Sequence, residues 1–122
     1  MIYLDGSSLT IDQVVEIARN KAEVGLSEEA KKNIQISRDI VEKNIEEKKV
    51  IYGLNTGFGK FVNVAISENE LDKLQLNLIL SDAVGVGDPF KQDVTRAIML
   101  LRVNALAKGF SGIRLSTVET MI

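Results

Sequence analysis

The chain has 122 residues, 45% of them hydrophobic and 26% charged, a length and composition typical of one globular domain with a core of its own. The 15 basic and 17 acidic side chains give a formal net charge of -2, so neither nucleic acid nor an anionic membrane is an expected partner. The sequence has no cysteine and no histidine, which excludes disulfides, thiolate or imidazole metal ligands, and a catalytic triad with a histidine base within this chain.

Two short strands and one capped helix are predicted first. The sequences MIYL (1–4) and VIYG (50–53) are rich in β-prone residues, and each is expected to form one strand of a small sheet. Thr10 and Gln13 have the spacing of an N-terminal capping box, and apolar residues follow at helical intervals. This pattern predicts a first helix over about 11–22.

The second helix is indicated by its charges. Ser27 is a capping residue with two acidic residues after it, and two lysines at 48–49 suit the opposite end of a helix over about 28–48. Its apolar stripe is predicted to comprise Ile34, Ile40, Val41 and Ile45. On the solvated side, oppositely charged residues stand four apart, in the pairs Glu28/Lys32, Arg38/Glu42 and Asp39/Lys43.

Two apolar helices and a short last one are predicted next. Ser67 and Glu70 form a second capping box before a run of leucine and isoleucine, so we expect this third helix to be buried against its own domain or another chain. Pro89 suits the first turn of a fourth helix over about 90–108, with Gly109 as its cap. Four residues in it have the spacing of a core face: Val94, Ile98, Leu101 and Ala105. A last helix is predicted to begin at about Ser111 or Ser116.

The predicted organisation is one mainly helical domain over 1–122 with a short two-stranded element. No repeat, low-complexity stretch or linker interrupts it, and no capping residue follows the last helix, which we therefore expect to be incomplete. Neither a signal peptide nor a run of roughly 18 apolar residues is found, so we expect a cytoplasmic protein with no membrane partner.

The stretch YGLNTGFGKF (52–61) is nearly uncharged and rich in glycine. It is not a nucleotide-binding P-loop, because Leu54 stands where the first glycine belongs and Phe61 replaces the serine or threonine that holds magnesium. From the residues alone two interpretations stay open. The glycines can bring backbone close to a ligand, or the segment is a tight connection whose tyrosine covers the core.

Three segments in fixed order resemble the N-terminal part of histidine ammonia-lyase and its relatives, the aromatic amino acid lyases and aminomutases. They are YGLNTGFGKF, LQLNLILSDAVGVGDPF and RAIMLLRVNALAKGFSGIR, and the similarity covers nearly the whole chain. The resemblance implies the helical N-terminal domain of the ammonia-lyase fold. It also implies an enzyme that eliminates ammonia from an amino acid, of the histidine-to-urocanate type, and a homo-oligomer with active sites assembled from several subunits.

The resemblance assigns roles within the glycine-rich segment. Tyr52 opens the family's motif and is implied to be the catalytic acid/base on a mobile loop over the active site. A phenol has a reference pKa near ~10, so such a base needs nearby positive charge or helix dipoles. Further residues are implied to bind substrate, namely Asn55 and Gly59, or to shape the loop, namely Gly53, Thr56 and Gly57.

Asp82 departs from the family pattern. Histidine and tyrosine lyases usually carry histidine at this position, which contacts the substrate's side chain, so the resemblance implies a substrate-binding role for Asp82. A carboxylate can accept a hydrogen bond from an imidazole or favour a cationic side chain, and it disfavours a phenyl ring. The alternative is a carboxylate near a helix end with no substrate role.

The family's electrophile, a methylidene-imidazolone group, forms from an internal Ala-Ser-Gly, and this sequence contains no such tripeptide. Ser111 and Gly112 follow Phe110, so they do not replace it. We therefore expect no cofactor in this chain and an inactive isolated polypeptide, with the amino acid as the substrate of a longer enzyme. The alternative is a naturally short, non-catalytic binding or interaction module derived from the family.

Overall fold

A computed structural model describes residues 1–51 and 68–122, and the side chains of all of these except 68–72. The elements are β1 (Ile2–Leu4), α1 (Ile11–Asn20), β2 (Val24–Leu26), α2 (Glu28–Glu46), α3 (Glu68–Asp82), α4 (Gln92–Leu106) and α5 (Leu115–Met121). The mainly helical class with a two-stranded element is thus confirmed. The chain forms two compact units: Met1–Lys43 with Pro89–Ile122, and Asn44–Asp88.

The small sheet has a different second strand from the one predicted. Strands β1 and β2 pair in parallel, with Ile2 opposite Val24 and Leu4 opposite Leu26. The prediction for 50–53 was wrong for Val50 and Ile51, which lie in no strand, while residues 52 and 53 fall outside the described residues. The reason is the helix between the strands: α1 returns the chain alongside β1, and burial of Leu4 and Leu26 stabilises the pairing.

Helix α1 begins as predicted. The amide of Gln13 donates to the Thr10 hydroxyl at 3.3 Å, and the amide of Thr10 donates to the Gln13 side chain at 3.0 Å, which completes the capping box. The helix ends two residues earlier than expected, because Lys21 adopts a left-handed conformation with φ of 56°.

Helix α2 has the predicted cap and some of the predicted charge pairs. The Ser27 hydroxyl accepts from the amide of Ala30 at 3.1 Å, and Arg38 pairs with Glu42 at 2.9 Å. One pair differs from the prediction, since Glu28 pairs with Lys31 rather than Lys32. The Asp39 carboxylate accepts from the Gln35 side chain. Along the predicted apolar stripe, Ile34 is buried, Val41 and Ile45 are half-buried, and Ile40 is exposed.

The core of the larger unit lies between the sheet, α1, α2, α4 and α5. Its buried side chains are Leu4, Ile17, Leu26, Ala30, Ile34, Leu100, Val103, Ala107 and Val118. Helix α4 therefore buries a different face from the one predicted, since Val94, Ile98, Leu101 and Ala105 are all exposed. Both faces of this helix are apolar, so periodicity alone did not identify the buried one.

The other helix boundaries also shift. Helix α4 begins at Gln92, with Lys91 as N-cap, so Pro89 precedes the helix instead of lying in its first turn. Helix α5 begins at Leu115 and buries Val118. In α3, Leu76, Ile79 and Leu80 are exposed, whereas Leu74 and Leu78 are half-buried.

The segment after α4 contacts α2 through backbone. Gly112 donates its amide to the Ser37 hydroxyl at 2.9 Å, and its carbonyl accepts from Arg38 at 3.3 Å. Gly109 has φ of +76°, and a β-carbon there would lie 2.6 Å from the carbonyl carbon of Asn33. Glycine is therefore required at 109 for both its conformation and the close approach.

Replacing Gly109 with alanine is expected to destabilise the protein by roughly 2–4 kcal/mol, because the strain of a left-handed residue adds to overpacking against α2. Gly87→Ala is the matched control, since Gly87 has φ of +85° but no atom within 4 Å of its β-carbon position. It should cost only the conformational part, about 1–2 kcal/mol. Urea unfolding measures both, and equal losses would show that the contact with Asn33 is unimportant.

Asp5 forms a turn between β1 and α1. Its carboxylate accepts from the amides of Ser7 and Ser8, each at 2.8 Å. These hydrogen bonds, of which the one from the Ser7 amide has the largest effect, stabilise the ionised form. They therefore hold the pKa of Asp5 well below its usual range. The ionised Asp5 therefore contributes to folding stability.

This contribution should depend on pH. Because the folded pKa of Asp5 is lowered, its stabilisation is complete above the unfolded value near ~3.9 and declines as the pH falls towards the folded value. The unfolding midpoints of the wild type and Asp5→Asn should therefore differ at about pH 6 and converge at lower pH. A difference that stays constant across the acid range would contradict this account.

Candidate functional site

The structure describes one of the predicted site residues. The others lie outside the described residues: Tyr52, Gly53, Asn55, Thr56, Gly57 and Gly59. Their roles in catalysis, substrate binding and loop shape therefore stay predictions. Asp82, the remaining candidate, has a defined position and can be examined directly.

Asp82 is the last residue of α3 and is exposed. The helix ends there in a turn, in which the amide of Val84 donates to the Asp82 carbonyl at 2.8 Å. The preceding residue, Ser81, donates its hydroxyl to the Leu78 carbonyl at 2.8 Å. Among the described residues, none forms a hydrogen bond or ion pair with the Asp82 carboxylate, which leaves its oxygens accessible to a ligand.

The electrostatic position of Asp82 is unfavourable for α3. The C-terminal end of a helix carries partial negative charge and favours cations, yet the last turn of α3 has no basic residue and ends in a carboxylate. A local preference that a sequence violates without a visible local gain is typical of functional positions. The last turn of α3 therefore gives the Asp82 carboxylate no electrostatic stabilisation.

The segment that follows Asp82 is open and apolar. Val84 and Val86 are almost fully exposed, and Gly87 has φ of +85°. No atom lies within 4 Å of the β-carbon position of either Gly85 or Gly87. This segment therefore presents apolar side chains beside a free carboxylate, a combination suited to contact with a partly apolar substrate or another polypeptide.

Arg96, which lies in the larger unit, is a second polar feature. The sequence did not predict a role for it. Its Nη2 atom donates to the carbonyl of Ile17 near the end of α1 at 3.1 Å. Its buried Nε atom has no hydrogen-bond partner among the described residues. The side chain borders an open cavity of about 270 Å³, lined also by Leu4, Met99 and Met121. The unpaired Nε atom cannot be recognised from the sequence, because the hydrogen-bond partners of an arginine side chain come from distant parts of the chain.

Asn104 is structural. Its side-chain oxygen accepts from the amide of Gly6 at 3.1 Å, which joins α4 to the turn after β1. A β-carbon at Gly6 would contact Lys108, so the turn can approach α4 this closely only with glycine. The Asn104 side chain thus has a structural hydrogen-bond partner within the larger unit.

Similarity to known proteins identifies the family. The family model for aromatic amino acid lyases matches residues 9–122, and the chain belongs to this family. It is 58% identical over 121 residues to histidine ammonia-lyase of Caldanaerobacter subterraneus subsp. tengcongensis, covering 99% of this chain and 24% of the relative. It is 50% identical over 122 residues to histidine ammonia-lyase of Bacillus subtilis, covering 100% of this chain and 24% of that relative.

Solved structures agree. The chain superimposes on histidine ammonia-lyase from Trypanosoma cruzi with a TM-score of 0.90 at 40% identity, covering 98% of this chain and 23% of that one. Tyrosine aminomutase from Streptomyces globisporus gives a TM-score of 0.89 at 36% identity, with 98% and 23% covered. The chain thus spans about a quarter of the length of its curated relatives, and matches their N-terminal part.

Neither a membrane-spanning helix nor a cluster of metal ligands is found in the part of the chain that the structure describes. None of the helices in residues 1–51 and 68–122 is both long and apolar enough to cross a membrane. In the same residues, no three acidic side chains come together as metal ligands would. The sequence contains no Ala-Ser-Gly tripeptide.

Proposed function

We propose that this chain is the N-terminal part of a histidine ammonia-lyase, which eliminates ammonia from histidine to give urocanate. The observation that carries the proposal is 58% identity to a curated histidine ammonia-lyase over 99% of the chain. The 36% identity to a tyrosine aminomutase supports membership of the same family. The proposal includes histidine as the substrate, a homo-oligomeric enzyme and a cytoplasmic location.

Tyr52 is proposed as the acid/base for the substrate's β-proton. Elimination needs a base that takes this proton while the amino group leaves, and the chain has no histidine that could serve. The phenolate of tyrosine can act as this base once nearby positive charge lowers the pKa of the phenol from ~10. Neighbouring glycines at 53, 57 and 59 would allow the segment to close over the substrate, with Asn55 and Thr56 supplying polar contacts.

Asp82 is proposed to bind the substrate's imidazole. Its carboxylate is exposed, has no partner among the described residues, and lies where a helix end disfavours it, so a hydrogen bond to an imidazole N–H would compensate the charge. A phenyl ring offers no donor and would leave the carboxylate partly desolvated. The side chain would therefore select imidazole over phenyl.

The electrophile must come from a polypeptide that contains Ala-Ser-Gly, because this sequence lacks that tripeptide. The isolated chain is therefore proposed to be inactive. The competing proposal, a non-catalytic interaction module, requires that the chain never joins such a polypeptide. The two proposals differ in whether the chain supports catalysis when the remainder of a lyase is supplied.

A chimera tests the function: residues 1–122 replace the matching quarter of the Caldanaerobacter enzyme. We expect urocanate from histidine with the chimera and none with the isolated chain. Tyr52→Phe should lower kcat by at least about 100-fold, since it removes the proton acceptor. Tyr3→Phe is the matched control, because Tyr3 is exposed on β1, and it should leave kcat close to that of the chimera.

Two results would contradict the proposal. Urocanate from the isolated chain would show that no further polypeptide is needed. A Tyr52→Phe chimera with an unchanged rate would remove the phenol from the reaction.

Asp82→Leu in the same chimera should lower kcat/KM for histidine relative to phenylalanine by about 10–100-fold, because a charge-assisted hydrogen bond is lost. Asp82→His should retain the preference for histidine, since it restores the family's usual residue. Asp88→Leu, at an exposed carboxylate in the following segment, is the control and should change the ratio little. If all three variants have the ratio of the parent chimera, Asp82 has no role in substrate selection.

A further inference from the structure

Helix α4 presents a second apolar stripe on the side opposite the core. Its members are exposed: Val94 by 42%, Ile98 by 52%, Leu101 by 53%, with Ala105 also exposed. The buried face of the same helix is formed by Leu100 and Val103. An α-helix that is apolar on opposite sides is typical of the interior of a larger assembly, because exposure of the second apolar face to water is unfavourable.

The spacing of the stripe suits a helical partner. Val94, Ile98, Leu101 and Ala105 are separated by four, three and four residues, the alternation of a heptad seam. Side chains at these positions form a nearly straight row that fits between the side chains of a second helix crossing at about 20°. The expected partner is therefore a helix with its own apolar seam, rather than a small molecule.

The flanks of the stripe indicate the charge of that partner. Arg102 is exposed beside the seam, and no hydrogen bond or ion pair joins its side chain to another described residue. The other flanking positions of α4 are occupied by Thr95, Ala97 and Asn104, none of which is acidic. A second copy of α4 could not neutralise Arg102 in either orientation, so a different helix with a carboxylate is favoured.

We propose that this stripe packs against an apolar helix, with a carboxylate facing Arg102, supplied by the part of a lyase polypeptide that follows the matched segment in the relatives. The length of the relatives supports this source, since the chain covers only 24% of each. The inference rests on the proposed function only in taking the remainder of a lyase as the source. It assigns the α4 stripe as the contact face.

The test compares Ile98→Glu in the isolated chain with the same change in the chimera. In the isolated chain Ile98 is exposed, so the thermal unfolding midpoint should change little. In the chimera the glutamate would be buried without a partner, and the midpoint should fall by roughly 5 °C or more. Ile11→Glu is the matched control: Ile11 is 83% exposed on α1, and its substitution should leave both midpoints nearly unchanged.

Arg102 tests the charge of the partner. Arg102→Glu in the chimera would place two acidic side chains together and should lower the midpoint, whereas Arg102→Lys should retain most of the stability. Equal midpoints for Arg102→Glu and the parent chimera would contradict an acidic partner.

Three results would overturn the packing proposal. The first is that Ile98→Glu leaves the unfolding midpoint of the chimera unchanged, and the second is that Ile98→Glu and Ile11→Glu lower it equally. The third is that Ile98→Glu lowers the midpoint of the isolated chain by an amount that depends on protein concentration. The last would show that a second copy covers the stripe. The unfolding midpoint and the activity are measured separately. If the chimera is active and Ile98→Glu leaves its unfolding midpoint unchanged, only the packing of the α4 stripe is refuted. An inactive chimera that loses stability refutes the catalytic proposal alone.

Discussion

The larger unit depends on how closely the C-terminal end of α4 approaches its neighbours. The turn after β1 meets α4 at Gly6, whose amide donates to Asn104, and the segment after α4 meets α2 at Gly109 and Gly112. All three glycines have positive φ, and a β-carbon at any of them would collide with a neighbour. Close approach at these points, against the backbone of Asn33 at Gly109 and against the side chains of Lys108 and Val41 at Gly6 and Gly112, fixes the position of α4.

Once this end of α4 is fixed, the rotation of the helix about its axis follows. Leu100, Val103 and Ala107 are directed into the core, and the stripe from Val94 to Ala105 is directed away from it. Arg96 remains on the core side, where its Nη2 atom binds the end of α1 and its Nε atom is buried without a partner. The chain thus contains a complete small core together with apolar and polar groups that this core does not satisfy.

Local interactions were predictable from the sequence. The capping box at Thr10, the cap at Ser27 and the ion pair between Arg38 and Glu42 form as expected, because each involves residues within four positions of one another. The same short range explains why four of the helix starts were predicted within about three residues. Mainly helical architecture followed from these local signals.

Nonlocal choices were not predictable in the same way. The partner of β1 is Val24–Leu26 because α1 brings the chain back beside it, and the three-residue run with a central glycine has little strand signal of its own. The buried face of α4 was misassigned because the exposed stripe has the more regular spacing. Of the predicted site, the structure places Asp82 at the end of α3. The glycine-rich segment lies outside the described residues, so its roles rest on family resemblance.

The carboxylate of Asp82 and the apolar stripe of α4 are unfavourable for different physical reasons. A carboxylate at the end of α3 and an apolar stripe on α4 are each unfavourable in water when considered alone, the first through the helix dipole and the second through exposed hydrocarbon. Selection for the stability of a 122-residue domain would remove both, since polar residues on the stripe and a basic residue at the end of α3 would disturb no described core contact. Their presence is explained if the stability being selected is that of an assembled lyase, in which another helix covers the stripe and substrate binds the carboxylate. A domain that works by itself would have to tolerate both costs without a compensating contact among residues 1–51 and 68–122.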